Sequence, residues 1–162
     1  MRIAIDTNCL IGALMIPSGS SARIVRAWLD GRLEAVASEA TVREAEHVLG
    51  GRWLARIVGR ERVDELLRQL RSRSVWVERP VPITDLRMKD EGDLHVVETA
   101  VTGGARYVVT TDREFLSHRG YGPTEFVTPG ALLRRLEGVR PAGPSARTKQ
   151  WRTTPAHHTH RH

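Results

Sequence analysis

The chain has little cysteine and no long hydrophobic run, and each absence excludes a class of protein. Cys9 is the only cysteine among 162 residues, so no intramolecular disulfide can form. No run of about 18 apolar residues is present, and the amino terminus lacks the basic region and apolar core of a secretory signal. We therefore expect a soluble, cytoplasmic protein that does not associate with membranes.

Acidic residues are absent from the end of the chain, and this changes the meaning of the net charge of +6. Residues 1–139 carry 20 Lys and Arg against 19 acidic residues, whereas residues 140–162 carry five basic residues and no acid. The excess charge therefore adds little evidence for nucleic-acid binding by the body of the protein. We predict one domain over residues 1–138 and a basic, histidine-rich, disordered tail over residues 139–162.

Short apolar segments alternate with helical patterns along the predicted domain. The spacing predicts strands at residues 3–5, 33–37, 75–77, 107–109 and 126–127. It also predicts helices that begin at Ser20 or Ser21, span 38–49, run through 52–73, extend from about 90 to 102, follow Asp112, and cover 129–136. Strands that alternate with helices favour an α/β fold, with a mostly parallel central sheet and helices on both faces.

Two carboxylates stand directly after predicted buried strands. Asp6 follows the first strand, and Asp112 closely follows the strand at residues 107–109. Ligands in such sheets bind at the carboxyl ends of the strands, so these side chains can meet there with Glu44 and Asp93. Clustered carboxylates repel one another and are tolerated mainly when a cation neutralises them. Their oxygen atoms favour Mg²⁺ or Mn²⁺, which supports phosphodiester chemistry.

Most of these acids also have a purely structural interpretation. Asp112 suits the N-cap of a helix, and Asp90 with Asp93 resembles an N-terminal capping arrangement. Glu44 is the last residue of a capping-box pattern that lies inside a predicted helix. Asp6 has the weakest structural explanation, because a carboxylate immediately after a buried apolar strand usually serves a function.

Four motifs in order resemble the PIN-domain nucleases. They are residues 3–8, residues 38–44, Asp93 with Ala100, and residues 107–112. Each motif is weak alone, but the ordered set is fairly specific and covers about residues 2–136. The most similar branch contains the toxin components of toxin–antitoxin pairs, related to the VapC-type ribonucleases. The resemblance implies a single PIN-like domain.

The resemblance also implies a site and an activity. Asp6, Glu44, Asp93 and Asp112 would bind Mg²⁺ or Mn²⁺ in a nuclease site specific for single strands. The expected protein is a metal-dependent endoribonuclease that cleaves single-stranded RNA, is inhibited by a small antitoxin protein, and forms a homodimer.

Accessory roles follow from the same resemblance. Asn8 and Thr110 would orient ligands or water beside the first and last acids. Residues 87–93 depart from the family pattern, so Asp90 and Glu91 remain alternatives that could share the role of Asp93.

The arginine-rich segment 52–73 has two interpretations. It can be a solvated helical face, or it can bind RNA phosphates through Arg52 and Arg56, with Trp53 stacking on a base. The whole chain contains 23 Arg and two Lys, so local enrichment in arginine proves little.

Other functions and groups are weaker alternatives. A PIN-fold module that binds RNA or protein with weak or no catalysis fits the unusual segment 87–93. A phosphoryl-transfer receiver lacks support, because position 8 is Asn8 and no lysine follows a late strand. We predict Cys9 to be a buried core thiol and His95 to be an exposed helix residue.

Overall fold

The computed structural model describes residues 1–139, and of Val139 the backbone alone. The tail predicted at residues 139–162 therefore lies outside the described side chains and stays a prediction. The elements in chain order are β1 Arg2–Ile5, α1 Thr7–Met15, α2 Ser20–Leu29, β2 Glu34–Ala37, α3 Glu39–Leu49, α4 Arg52–Val58, α5 Arg60–Ser72, β3 Ser74–Trp76, α6 Glu91–Thr102, β4 Tyr107–Val109, α7 Arg113–Ser117, β5 Gly120–Tyr121, β6 Thr124–Val127 and α8 Pro129–Val139.

Six strands form one sheet in the order β3-β2-β1-β4-β6-β5. All neighbouring strands are parallel except β5 and β6, which confirms the predicted mostly parallel sheet. In β1, Ile3 pairs with Ala35 on one side and with Tyr107 on the other. The chain builds the sheet outward from β1 in one direction and then crosses to β4. The carboxyl ends of β1 and β4 thus form the switch point where α/β sheets bind ligands.

The two faces of the sheet carry separate hydrophobic cores. Successive strand residues point to opposite faces, so Ile3 and Val109 lie in one core whereas Ala4 and Val108 lie in the other. Helices α1 to α5 and α8 cover the first face, and α6 and α7 cover the second. This arrangement confirms the prediction of helices on both faces.

Several local features differ from the sequence prediction. No element was predicted for residues 9–16, which largely belong to α1, and α2 has Gly19 at its N-cap instead of Ser20 or Ser21. Segment 52–73 forms two helices that meet at Gly59, where a φ of 95° suits a residue without a side chain. Strand β5 was not predicted, because two residues show no periodicity and depend on their antiparallel pairing with β6.

Within the part of the chain that the structure describes, no helix has both the length and the hydropathy to cross a lipid bilayer.

Candidate acidic site

Asp6 lies at the carboxyl end of β1 and at the N-cap position of α1. Its backbone N–H donates to the Val109 carbonyl oxygen at 3.0 Å, which continues the pairing of β1 with β4 by one residue. The side chain is only 3% exposed, yet it makes no capping hydrogen bond to α1. Capping of α1 therefore does not explain this buried carboxylate.

Thr110 connects the two acids that follow β1 and β4. Its Oγ1 donates to Asp6 Oδ2 at 2.8 Å and accepts the Asp112 backbone N–H at 3.1 Å. Its own backbone N–H donates to the Val127 carbonyl oxygen, and its side chain is fully buried. The hydroxyl thus holds both acidic residues in position at the edge of the sheet. Thr110 was predicted to orient ligands or water beside Asp112, and that role stays a prediction.

Asp112 has the capping role that its sequence position indicates. Its Oδ1 accepts the backbone N–H groups of Glu114 at 2.8 Å and Phe115 at 3.5 Å, at the beginning of α7. Within residues 1–139 the structure shows no hydrogen bond to its Oδ2. Capping therefore holds the carboxylate in place while leaving one oxygen for another ligand.

The beginning of α6 supplies a second pair of acids. Asp90 is the N-cap, and its Oδ1 accepts the Gly92 backbone N–H at 2.8 Å. Asp93 follows in the first turn and is half-buried, whereas Glu91 is exposed. Asp90 and Glu91 were the predicted alternatives to Asp93. Asp90 lies close enough to Asp6 and Asp93 to raise the pKa of both by electrostatic repulsion.

Burial and mutual repulsion raise the pKa values of two of the acids. Burial raises the pKa of Asp6 to about 6, opposed by hydrogen bonds from the Thr110 side chain and the Thr7 backbone and assisted by repulsion from Asp112 and Asp90. Burial also raises the pKa of Asp93 to about 7, with further repulsion from Asp6, Asp90, Asp112 and Glu114. Glu114 was not among the predicted site residues, although its position two residues after Asp112 indicated that it could lie near the site.

No cation of the protein relieves this repulsion in the part of the chain that is described. The ion pairs found there involve other acids, and none includes Asp6, Asp90, Asp93 or Asp112. Clustered carboxylate oxygens without a basic partner are a donor set that fits a hard divalent cation. Over residues 1–139, however, no three His, Cys, Asp or Glu side chains are placed to hold one ion together.

Glu44 approaches the beginning of α6 from α3. Its helix begins with a capping box formed by Ser38 and Thr41, so the box pattern that ends at Glu44 does not cap a helix. Ser38 Oγ and Thr99 Oγ1 lie 2.8 Å apart in a buried hydrogen bond that joins α3 to α6. Glu44 borders a groove between these helices, together with His47, Asp90, Glu91, Gly92 and His95.

The remaining predicted residues lie in varied surroundings. Asn8 is exposed in the first turn of α1, and no hydrogen bond of its side chain is found within residues 1–139. Arg52 and Arg56 are exposed on α4, which packs against α1 and α5, and nothing places them beside the acids. Cys9 is buried, its Sγ donates to the Val109 carbonyl oxygen, and burial raises its pKa to about 12. It is a core thiol, as predicted.

Fold and site together define a small α/β protein with an acidic centre at the switch point of a parallel sheet. A family model described as "PIN domain" matches residues 2–114, which is well over half of the chain and includes Asp6, Glu44, Asp93 and Asp112. The chain belongs to the PIN-domain family. Comparisons with curated proteins and with solved structures find no match. PIN domains are generally nucleases that use divalent metal ions, so membership indicates a nuclease-type function.

The Thr110 hydroxyl is expected to stabilise the charged form of Asp6. Thr110→Val should destabilise the protein by about 2 kcal/mol at pH 7.5, because a buried hydrogen bond to a carboxylate is lost. The loss should shrink at pH 5, where Asp6 is mostly protonated. Urea unfolding at both pH values measures this.

Thr124→Val is the matched control for Thr110→Val. Thr124 is equally buried, but its Oγ1 donates at 2.8 Å to the neutral carbonyl oxygen of Ala105. Its replacement should cost about 1 kcal/mol at either pH. Equal costs and equal pH dependence for the two variants would show that the Thr110 bond has no special effect on Asp6.

Proposed function

We propose that the protein is a divalent-metal-dependent endoribonuclease that cleaves single-stranded RNA. The observation that carries the proposal is the acidic site itself. Asp6 is buried and hydrogen-bonded at the end of β1, and Asp90, Asp93 and Asp112 surround it closely enough to repel it or one another. Membership of the PIN-domain family supports nuclease chemistry at this place.

Some residues of the site would bind the ion, and others hold those ligands in position. Asp6, Asp93 and Asp112 would hold Mg²⁺ or Mn²⁺ at the sheet edge, and Glu44 and Asp90 would contribute from the junction of α3 and α6. A bound ion supplies Lewis-acid stabilisation of the phosphodiester and lowers the pKa of water. Thr110 keeps Asp6 oriented, and the cap of α7 keeps Asp112 oriented.

The raised pKa of Asp93 belongs to the metal-free protein, where burial and the neighbouring acids bring it to about 7. A bound cation would favour the ionised form of Asp93 and so suit it to the role of ligand. Hydrolysis forms a bond from the water oxygen to phosphorus and breaks the bond from phosphorus to the leaving oxygen. One proton of the water must move to solvent or to a carboxylate of the site that does not hold the ion.

The biological role that we propose is the toxin of a type II toxin–antitoxin pair in the cytoplasm. Support comes from the similarity of residues 3–8, 38–44 and 107–112 to that branch of the family. The expected partners are single-stranded RNA, a small antitoxin protein and a second copy of the chain. A short upstream reading frame with a DNA-binding pattern, whose product binds the protein and suppresses its activity, is the expected finding. A gene without such a neighbour would count against the toxin role.

Purified protein should cleave single-stranded RNA at internal positions when Mn²⁺ is present. Cleavage should stop in EDTA and return when excess Mn²⁺ is added, whereas duplex RNA of the same sequence should be cut much less. Gel analysis of end-labelled RNA measures both rate and position of cleavage. Undiminished cleavage in EDTA would refute metal dependence, and equal cleavage of duplex RNA would refute strand selectivity.

A PIN-fold module that binds RNA or protein with weak or no catalysis is the second candidate. It is favoured by the finding that no three ligating side chains within residues 1–139 are placed to hold one ion together. Calorimetric titration with Mn²⁺ distinguishes the two functions. Binding by the wild type that Asp93→Asn weakens supports the nuclease. The absence of any difference between the two proteins supports the binding module.

A further inference from the structure

Gly92 lies where two carboxylates approach the backbone of α6. A Cβ atom built on this glycine would stand 3.1 Å from Glu44 Cδ and 3.2 Å from Asp90 Oδ1. Both distances are shorter than ordinary van der Waals contacts between such atoms. The space that a side chain would need is thus occupied by the carboxylates of α3 and of the α6 N-cap.

The backbone conformation does not require a glycine at this position. Positive φ angles occur at Gly31, Gly59, Gly104 and Gly122, whereas Gly92 has the ordinary conformation of a helix. Alanine is the better helix former, so helix propensity alone would disfavour glycine here. A glycine at this position instead allows the Glu44 carboxylate to lie close to the backbone of α6.

We propose that Gly92 is a positioning residue whose missing side chain leaves room for the Glu44 carboxylate beside Asp90, one of the acids of the site. The hydrogen bond between Ser38 and Thr99 holds α3 against α6 and so fixes the approach of the two helices. Gly92 also donates its backbone N–H to Asp90, which keeps that carboxylate on the same side. The inference rests on the proposed function, because another negative charge at this junction favours the binding of a cation.

Mn²⁺ titration calorimetry tests the role of Gly92, with Gly130→Ala as the matched control. Gly130 is likewise the second residue of a helix, α8, and its built Cβ would be 3.6 Å from the nearest atom, Arg134 Nη1. Gly92→Ala should weaken Mn²⁺ binding about tenfold and Gly92→Leu about a hundredfold, as the loss of outer supports of metal ligands does. Gly130→Ala should bind Mn²⁺ as the wild type does.

Thermal unfolding without metal separates positioning from stability. The metal-free melting temperature of Gly92→Ala should equal or exceed that of the wild type, because alanine favours the helix. In a Glu44→Gln background, Gly92→Ala should weaken Mn²⁺ binding little further, since the side chain that it displaces is already neutral.

Each remaining outcome overturns the role of Gly92. Wild-type affinity in Gly92→Ala and Gly92→Leu, or fully additive losses with Glu44→Gln, would refute the positioning role and leave the proposed nuclease intact. A wild-type protein that binds no Mn²⁺ would refute the positioning role and the metal-dependent function together.

Discussion

Asp6→Asn should reduce Mn²⁺-dependent RNA cleavage by about a thousandfold, which corresponds to about 4 kcal/mol of transition-state stabilisation. Asparagine keeps the size of the side chain and can still accept the hydrogen bond from Thr110. It removes the negative charge that lies deepest in the acidic site. The lower cleavage rate of Asp6→Asn should therefore result from the missing negative charge of a metal ligand and not from a change in the shape of the side chain.

Single-turnover cleavage at saturating RNA measures the effect of Asp6→Asn. Asp64→Asn on α5 is the control, and its rate should equal that of the wild type. The metal-free Asp6→Asn protein should be at least as stable as wild type at pH 7.5, because an ionised buried carboxylate has been replaced by a neutral group. A variant that keeps more than about a tenth of the wild-type rate would exclude Asp6 as an essential metal ligand.

Without metal, the wild-type protein should become more stable as the pH falls from about 8 to about 5. Asp6 has a folded-state pKa of about 6 against an ordinary 3.8, so the folded state binds the proton more tightly than the unfolded state does. The penalty is absent below pH 3.8 and complete above pH 6. For this group, which is almost fully buried, it amounts to about 3 kcal/mol. Asp93 contributes in the same direction, and its penalty grows from pH 3.8 until it is complete above about pH 7.

Urea unfolding in EDTA between pH 5 and 8 measures this dependence. Asp6→Asn should remove much of it, and Asp93→Asn should remove the part nearest neutral pH. Mn²⁺ at a hundred times its dissociation constant should add about 2.7 kcal/mol at pH 8. Stability in EDTA that stays constant or rises toward pH 8 would contradict the inferred strain among the buried acids.

Local patterns in the sequence predicted most elements of the fold. Strands at residues 3–5 and 107–109 were recognisable because these apolar runs are too short for a helix and are rich in β-branched or aromatic residues. The α3 boundaries were recognisable from Ser38 and from the glycines after Leu49. Strand β5 was not, since two residues become a strand only by pairing with β6. The N-cap at Gly19 was also missed, because Ser20 and Ser21 are better capping residues in isolation.

What the sequence by itself determined is the presence of Asp6 and Asp112 after buried strands, since strand ends and the residues that follow them are local features. What the tertiary structure alone decided is how the acids interact. The Thr110 bridge depends on the pairing of β1 with β4, and the approach of Glu44 to Gly92 depends on the packing of α3 on α6. Burial raises the pKa of Asp6, and burial is a property of the assembled cores.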